Sequence, residues 1–406
     1  MNELGFSPSG DPDLASRIGY IEDREYLFRT RVLELQKQIG ESDQPERNIL
    51  AISRDPGSAT CLFPVITILR ENTNDKLSVV TDGRAEDIIR KSFDVEDKEI
   101  EGSLGADAVL AEPDVILAAA AEEKGLETYA NATFNEVPMV LVEDYPGATH
   151  IFLRACLDRP GLHLPAKICV MDATAKQLMI SAFPDSPEIE SRIEVTGQPA
   201  FDRIAQENVE AISKDARDKL GLTSEDKVVA FMSTFVTRQQ IETICAQLKR
   251  VSTDFTLAFR KHPRDNTSYE EYFQIFKDNG IKYVDSRELK TDQVSAAADI
   301  VITTWSTAGL EAIYRGKPTI HLVDRDVLDV PPELELPLPA VKLGASVGAE
   351  NIGELPGDID QLFDLNSHLL QSVNANMKSH YPNDGKNAQR VAMVIAEILK
   401  IKGKVD

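Results

Sequence analysis

From Asn48 onward the chain alternates short apolar runs with segments whose apolar residues recur at helical spacing. Ile49-Leu50-Ala51-Ile52 runs into the turn-forming Ser53-Arg54-Asp55-Pro56-Gly57, and "CLFPVITILREN" then carries a helical pattern. Leu77–Thr81, Val115–Leu117, Pro138–Val142, Lys167–Met171 and Arg192–Thr196 repeat the strand signal, with helical stretches such as "DGRAEDIIRKSF" and "AAAAEEKGLETYANATF" between them. Strands that are apolar along their whole length are buried on both faces, which is the setting of a parallel sheet covered by helices. The alternation pauses at "TGQPAFDRI" and across the charged residues 213–226, then restarts at Val228–Met232. It continues through a helix over 238–251, Thr256–Phe259, a helix over 268–279, Lys282–Val284, Ile300–Ile302 and Thr319–Val323. The pattern predicts an α/β protein of two doubly wound domains facing a central cleft.

The expected boundaries are 46–205 for the first domain, 206–221 for a linker and 222–375 for the second domain. Ahead of them, 1–45 forms a flexible tail and an amphipathic helix over Tyr20–Ile39, carrying Leu27, Leu35 and Ile39 and stopped by Gly40. That helix packs on the body or on a second subunit, which makes it the place for a homo-oligomer contact. Residues 376–406 hold a strong amphipathic helix, Asn387–Lys400, expected to pack back on the first domain.

Composition narrows the function. Against 44 Lys+Arg stand 67 Asp+Glu, a formal charge of -23 over 406 residues. Such a surface argues against a general nucleic-acid or membrane-surface binder, although a nest of backbone N–H groups still binds an anion locally. Cys61, Cys156, Cys169 and Cys245 have no CxxC spacing and read as reduced thiols. "MNELGFSPSGDPDLASR" has neither the basic nor the apolar region of a secretory signal, and no window offers the roughly 20 apolar residues of a spanning helix. The expected location is the cytoplasm.

The candidate chemistry gathers where strands hand over to helices. After Ile300–Ile302 comes Thr303-Thr304-Trp305-Ser306-Thr307-Ala308-Gly309, then Glu311. Hydroxyls of Thr304, Ser306 and Thr307, with the close approach Gly309 allows, suit a phosphate at a helix N-terminus. Glu311, one turn deeper on the same face, suits two ribose hydroxyls; an ordinary N-cap with an acidic first turn fits the same spacing. Arg260-Lys261-His262-Pro263-Arg264 is the densest basic cluster, and His262 and Arg264 are expected to face a diphosphate leaving group. Ser233 and Thr234 end the first strand of the second domain and suit the same ligand. In the first domain, Asp55, Gly57 and Ser58 form a βα turn able to touch a sugar or acceptor. Glu143, with Asp144 beside it, ends an apolar strand where a carboxylate can serve as general base. Asp324–Asp329, "DRDVLD", reads as a mobile rim loop with no Gly at the sixth position of a calcium turn. No metal and no cofactor are expected. Walker A and HExxH are absent.

Five motifs in order, "AISRDPGSATCLFPVITIL", "PMVLVED", "VTGQPAFD", "FRKHPRD" and "TTWSTAGLEAIYRGKPTI", resemble the GT-B superfamily of sugar-nucleotide enzymes. That group includes the non-hydrolysing UDP-GlcNAc 2-epimerases and many glycosyltransferases. The last motif also looks like its counterpart in polyglycerol-phosphate polymerases of the CDP-glycerol transferase type. The resemblance implies two Rossmann-like domains, the second holding the nucleotide diphosphate with Glu311 on the ribose, the first holding the acceptor. Glu143 matches the glutamate of the epimerases' "HVEAG". Their "HGD" aspartate is missing after Val115–Leu117, "MSTFVTR" has no histidine where they carry "HRRE", and the polymerases' "HG(T)" signature is absent. The expected function is therefore a metal-independent glycosyltransferase joining a nucleotide-sugar donor to an unknown acceptor in polysaccharide biosynthesis. The alternatives are a 2-epimerase-like isomerase or hydrolase, and a non-catalytic sugar-nucleotide-binding protein.

Overall fold

The computed structural model describes residues 47–53, 56–72, 75–81, 100–102, 113–120, 136–144, 148–158, 161–233, 236–262, 265–330 and 336–402. The helix expected over 20–39, and Asp55, Thr234 and Arg264, lie outside them. Two compact units emerge: one of the described residues up to Met171 with Met179–Ala200 and Ala388 onward, the other of Asp172–Leu178 and Phe201–Asn387.

In the first unit seven strands pair in the order β3-β2-β1-β4-β5-β6-β7. They are β1 (Asn48–Ser53), β2 (Lys76–Thr81), β3 (Ile100–Gly102), β4 (Val115–Ala120), β5 (Met139–Glu143), β6 (Lys167–Val170) and β7 (Ile193–Val195). Every pairing is parallel. Ala118–Ala120, expected to open a helix, instead complete β4: Ala118 faces Ile52 on one side and Leu141 on the other, and Ala120 faces Glu143. A strand flanked on both sides has its backbone groups paired in the ladder, and this overrides the helix propensity of alanine. Helix α1 (Pro56–Asn72) covers one face despite Pro64. Its Leu62, Val65, Ile66 and Leu69 share a core with Val391, Ile395 and Leu399 of the last helix, Asn387–Lys402.

The second unit repeats the design with six parallel strands in the order β10-β9-β8-β11-β12-β13. These are β8 (Val228–Met232), β9 (Thr256–Arg260), β10 (Tyr283–Val284), β11 (Ile300–Thr303), β12 (Thr319–Leu322) and β13 (Val347–Ala349). The expected linker is largely a helix, Val209–Leu220, capped by Asn208 and ended by Gly221 in the left-handed conformation. Its Ala216 joins Val228, Ala230, Val294, Val301 and Ala312 in the core.

Candidate functional site

β8 lies beside β11, with β9 and β10 running out one way and β12 and β13 the other. Such a reversal opens a crevice at the carboxyl ends of the strands, where open α/β sheets take ligands. The Thr303 hydroxyl donates to the Met232 carbonyl at 2.9 Å and fastens the two strand ends together. Ser233 follows, buried, and its hydroxyl has no hydrogen-bond partner among the described residues. Thr304 is buried as well, and Ser306 caps helix α2 (Thr307–Tyr314), its Oγ accepting from Ala308 N at 3.3 Å. Thr307 is exposed at the first helical position. Hydroxyls and a helix N-terminus thus collect at one end of the sheet, an arrangement able to take anionic oxygens.

Gly309 answers to packing. A Cβ there would stand 2.6 Å from His321 Nε2 and 2.8 Å from the Thr303 methyl, so the helix needs a bare backbone at this point. His321 in β12 is fully enclosed; burial pushes its pKa down to about 4, and its Nδ1 lies 3.2 Å from Ser346 Oγ.

Two members of the basic cluster are engaged by nearby backbone carbonyls. Arg260 donates to the Arg287 carbonyl at 2.8 Å, and Lys261 donates to the carbonyls of Asp265 and Thr267 at 2.6 and 2.7 Å. Asp265 accepts from Tyr272 at 2.6 Å, completing a loop that holds itself. His262 sits half-buried within this loop, its carbonyl accepting from Asp265 N at 2.9 Å. In "DRDVLD", Asp324 accepts from the N–H groups of Asp326 and Ile352, and Asp329 accepts from Gln240. Those bonds tie to neighbouring elements a segment that the sequence suggested as a mobile rim loop.

Glu311 is held by a ring of charges that sequence spacing did not suggest. Arg203 donates to Glu207 at 2.7 Å and to Glu311 Oε2 at 2.8 Å. Arg315 grips Glu207 through Nε and Nη2 at 2.8 and 2.9 Å and reaches Glu311 Oε2 through Nη1 at 3.1 Å. Burial alone would lower the Arg315 pKa, but the two carboxylates outweigh it and the net shift is upward. A groove of about 720 Å³ on the same unit is lined by Lys214, Arg217, Arg315 and Lys317. It lies toward the amino ends of the strands, and its cations are taken: Arg217 by three carbonyls and Asp299, Lys317 by Ala298 O.

In the first unit Ser58 is tied back to the end of β1, its Oγ 2.9 Å from that of Ser53, while Gly57 is exposed. Glu143 ends β5, 2 % exposed, and Asp144 is half-buried. Gln198 joins them, donating to the carbonyls of Glu143 and Asp144 at 3.2 and 2.5 Å and accepting from the Cys61 thiol at 3.0 Å. The preceding Gly197, at φ 83, turns the chain so that this amide points inward. Burial pushes the Cys61 thiol well up, and the carboxylates of Asp144 and Glu143 push the same way. All four cysteines are buried and free.

These two units have the GT-B architecture. A structure of the wall teichoic acid polymerase TagF has a TM-score of 0.56 at 16% identity, covering 96% of this chain and 97% of that one. The UDP-GlcNAc 2-epimerase from Neisseria meningitidis, bound to UDP-GlcNAc, has a TM-score of 0.59 at 15% identity, covering 87% of this chain and 99% of that one. S. aureus MnaA with UDP gives 0.56 at 15%, over 87% of this chain and 97% of that one. No curated protein matches the chain. The family model for CDP-glycerol:poly(glycerophosphate) glycerophosphotransferase matches residues 168–397, more than half of the 406. The chain belongs to that family of transferases. Its name carries glycerophosphate as the transferred group, where the sequence reading expected a sugar. Among the described residues no helix is long and apolar enough to cross a membrane.

Proposed function

We propose that this protein transfers glycerophosphate from CDP-glycerol to the terminal hydroxyl of a polyol-phosphate chain. The observation that carries this reading is the family match across 168–397, which takes in the whole second sheet and its switch point. In this reading Ser233, Thr234, Thr304, Ser306 and Thr307 receive the diphosphate oxygens, His262 and Arg264 stabilise the departing phosphate, and Glu311 takes the ribose hydroxyls. Gly309 lets helix α2 seat close behind them. Glu143 removes the proton of the acceptor hydroxyl, with Asp55, Gly57, Ser58 and Asp144 lining the acceptor's approach.

The bonds follow from the donor. The acceptor oxygen attacks the phosphorus that bears glycerol, a new P–O bond forms, and the P–O–P bridge breaks. CMP leaves with the bridging electron pair, and the acceptor proton passes to the base. A sugar transferase would instead release the nucleoside diphosphate intact. The match of Glu143 to the epimerase glutamate favours, as a second reading, chemistry on a nucleotide sugar.

Incubating the protein with CDP-glycerol, and separately with UDP-GlcNAc, in the presence of a synthetic oligo(glycerophosphate) separates these. The expected result is acceptor-dependent CMP and a product longer by one glycerophosphate. Release of UDP, or an isomerised sugar, supports the second reading, and unchanged donors in both arms would leave a binding protein.

A further inference from the structure

The four side chains around Glu311 close on themselves with alternating sign: Arg203 to Glu207, Glu207 to Arg315, Arg315 to Glu311, Glu311 back to Arg203. The members differ in exposure. Arg315 is 1 % exposed in its side chain, Glu207 14 %, Glu311 23 % and Arg203 46 %. A guanidinium as enclosed as Arg315 depends on its carboxylates, because a buried charge stripped of a partner is strongly unfavourable. Glu207 meets it in two parallel bonds, the geometry that fixes a guanidinium in its plane. With Arg315 so fixed, its remaining Nη1 sets where Glu311 Oε2 must lie, and Arg203 closes on the same oxygen from the solvent side. Both guanidinium bonds to the Glu311 carboxylate fall on Oε2 and neither on Oε1, while Arg315 Nη1 also reaches the Glu311 backbone carbonyl at 3.5 Å.

We infer that Arg315, locked by Glu207, is the positioning residue that presents Glu311 Oε1 to a nucleotide's ribose hydroxyls and so sets selection of ribonucleotides over deoxyribonucleotides. This rests on Glu311 being the ribose group in the function proposed above. A carboxylate on a free side chain would have to be ordered by each ligand, at a cost in conformational entropy. Here the order is already present. A single oxygen accepts both ribose hydroxyls, and a 2′-deoxynucleotide leaves part of it without a donor.

Glu207 and Arg315 need not touch the ligand, so the test follows their effect through Glu311. Calorimetric affinities of the full chain for CDP and for 2′-deoxy-CDP are compared across wild type, Glu311→Gln, Glu207→Gln and Arg315→Lys. Arg203→Lys is added because its exposed side chain tolerates change if the buried variants fail to fold. The expected wild-type preference for CDP is about ten- to hundredfold, the worth of a charge-assisted hydrogen bond. Glu311→Gln should remove most of it. Glu207→Gln and Arg315→Lys should remove a similar share, while Arg203→Lys weakens it by a few-fold at most. If Glu311→Gln loses the preference and every ring variant keeps it, positioning by the ring is overturned while the ribose role of Glu311 stands. If wild type shows no preference, or Glu311→Gln keeps it, the ribose role itself fails and this inference with it. Rescue distinguishes positioning from general damage: Arg315→Lys should bind 2′-deoxy-CDP as well as wild type does, and a uniform loss for both nucleotides would mark the ring as merely structural.

Discussion

The polar groups at the end of β5 and those around Glu311 are both held tightly, but by different physics. In the first unit a neutral amide, Gln198, joins two backbone carbonyls and a thiol around a buried carboxylate. In the second, four formal charges cancel in a ring whose members run from enclosed to half-exposed. Neutral clasps lose a hydrogen bond when cut, whereas ion-pair rings leave a naked charge. Under the function proposed above, the neutral clasp would keep the Glu143 carboxylate dry and the charged ring would present Glu311 to the donor. The contrast can be broken at either end.

The largest effect is expected at Glu143. Glu143→Gln keeps the shape of the side chain and the carbonyl that Gln198 holds, but removes the proposed base. Turnover should fall by roughly 10²–10⁴-fold while nucleotide affinity changes by no more than a few-fold. Loss of nucleotide binding in this variant would place Glu143 among the donor or structural groups. Unchanged turnover would move the base elsewhere, with Asp144 next to test.

The strands were legible because a doubly wound sheet writes continuous apolar runs, and the hydroxyl-rich turn after β11 was legible because caps are local. What escaped the sequence depends on distance along the chain. Gln198 reaches Glu143 across 55 residues, and Arg203 reaches Glu311 across 108. Nothing in "TGQPAFDRI" distinguishes an amide that clasps another loop from a turn residue. Basic clusters mislead for the opposite reason: Arg260 and Lys261 are adjacent to a candidate site, yet their donors close their own loop. Gly309 shows a third limit. Its spacing suggested backbone approach to a phosphate, and what the structure shows against it is a histidine twelve residues later in β12.

That histidine provides the next effect in size. The folded-state pKa of His321 is about 4, below the ordinary 6.5, because the charged ring would be buried. The unfolded chain therefore binds a proton that the folded unit refuses. Stability from this group is fully present above about pH 6.5 and falls as pH drops toward 4, by about 3 kcal/mol at most. Denaturant titrations at pH 7 and pH 4.5, on wild type and His321→Gln, isolate it from the carboxylates that titrate nearby. The variant should be less sensitive to acid than wild type. Parallel pH profiles would mean that the ring accepts its proton in the folded unit and that its enclosure is not maintained in solution.

The smallest effect sharpens the contrast between charge and amide. Arg203 is half-exposed, so its pairs with Glu207 and Glu311 should contribute only about 0–1 kcal/mol, and salt should weaken them further. At 1 M salt the screening length is about 3 Å, comparable to the pair distances themselves. Gln198 carries no charge, and its bonds lie in buried surroundings that ions do not enter. Native-state hydrogen exchange reads both locally, since opening of a segment need not unfold the rest. The probe for the ring is the amide of Glu207, bonded to Ile204 O at 3.1 Å, and the probe for the clasp is the β5 backbone. Arg203→Ala should speed exchange at Glu207 by about two- to fivefold at low salt, from the pair energy above, and by almost nothing at 1 M. Gln198→Ala should speed exchange in β5 by about tenfold or more, equally at both salt concentrations, because what it loses is a buried hydrogen bond. A salt-independent Arg203 effect would mean that the guanidinium acts by packing and not by charge. A salt-dependent Gln198 effect would mean that the clasp opens to solvent and that the Glu143 carboxylate is not kept dry.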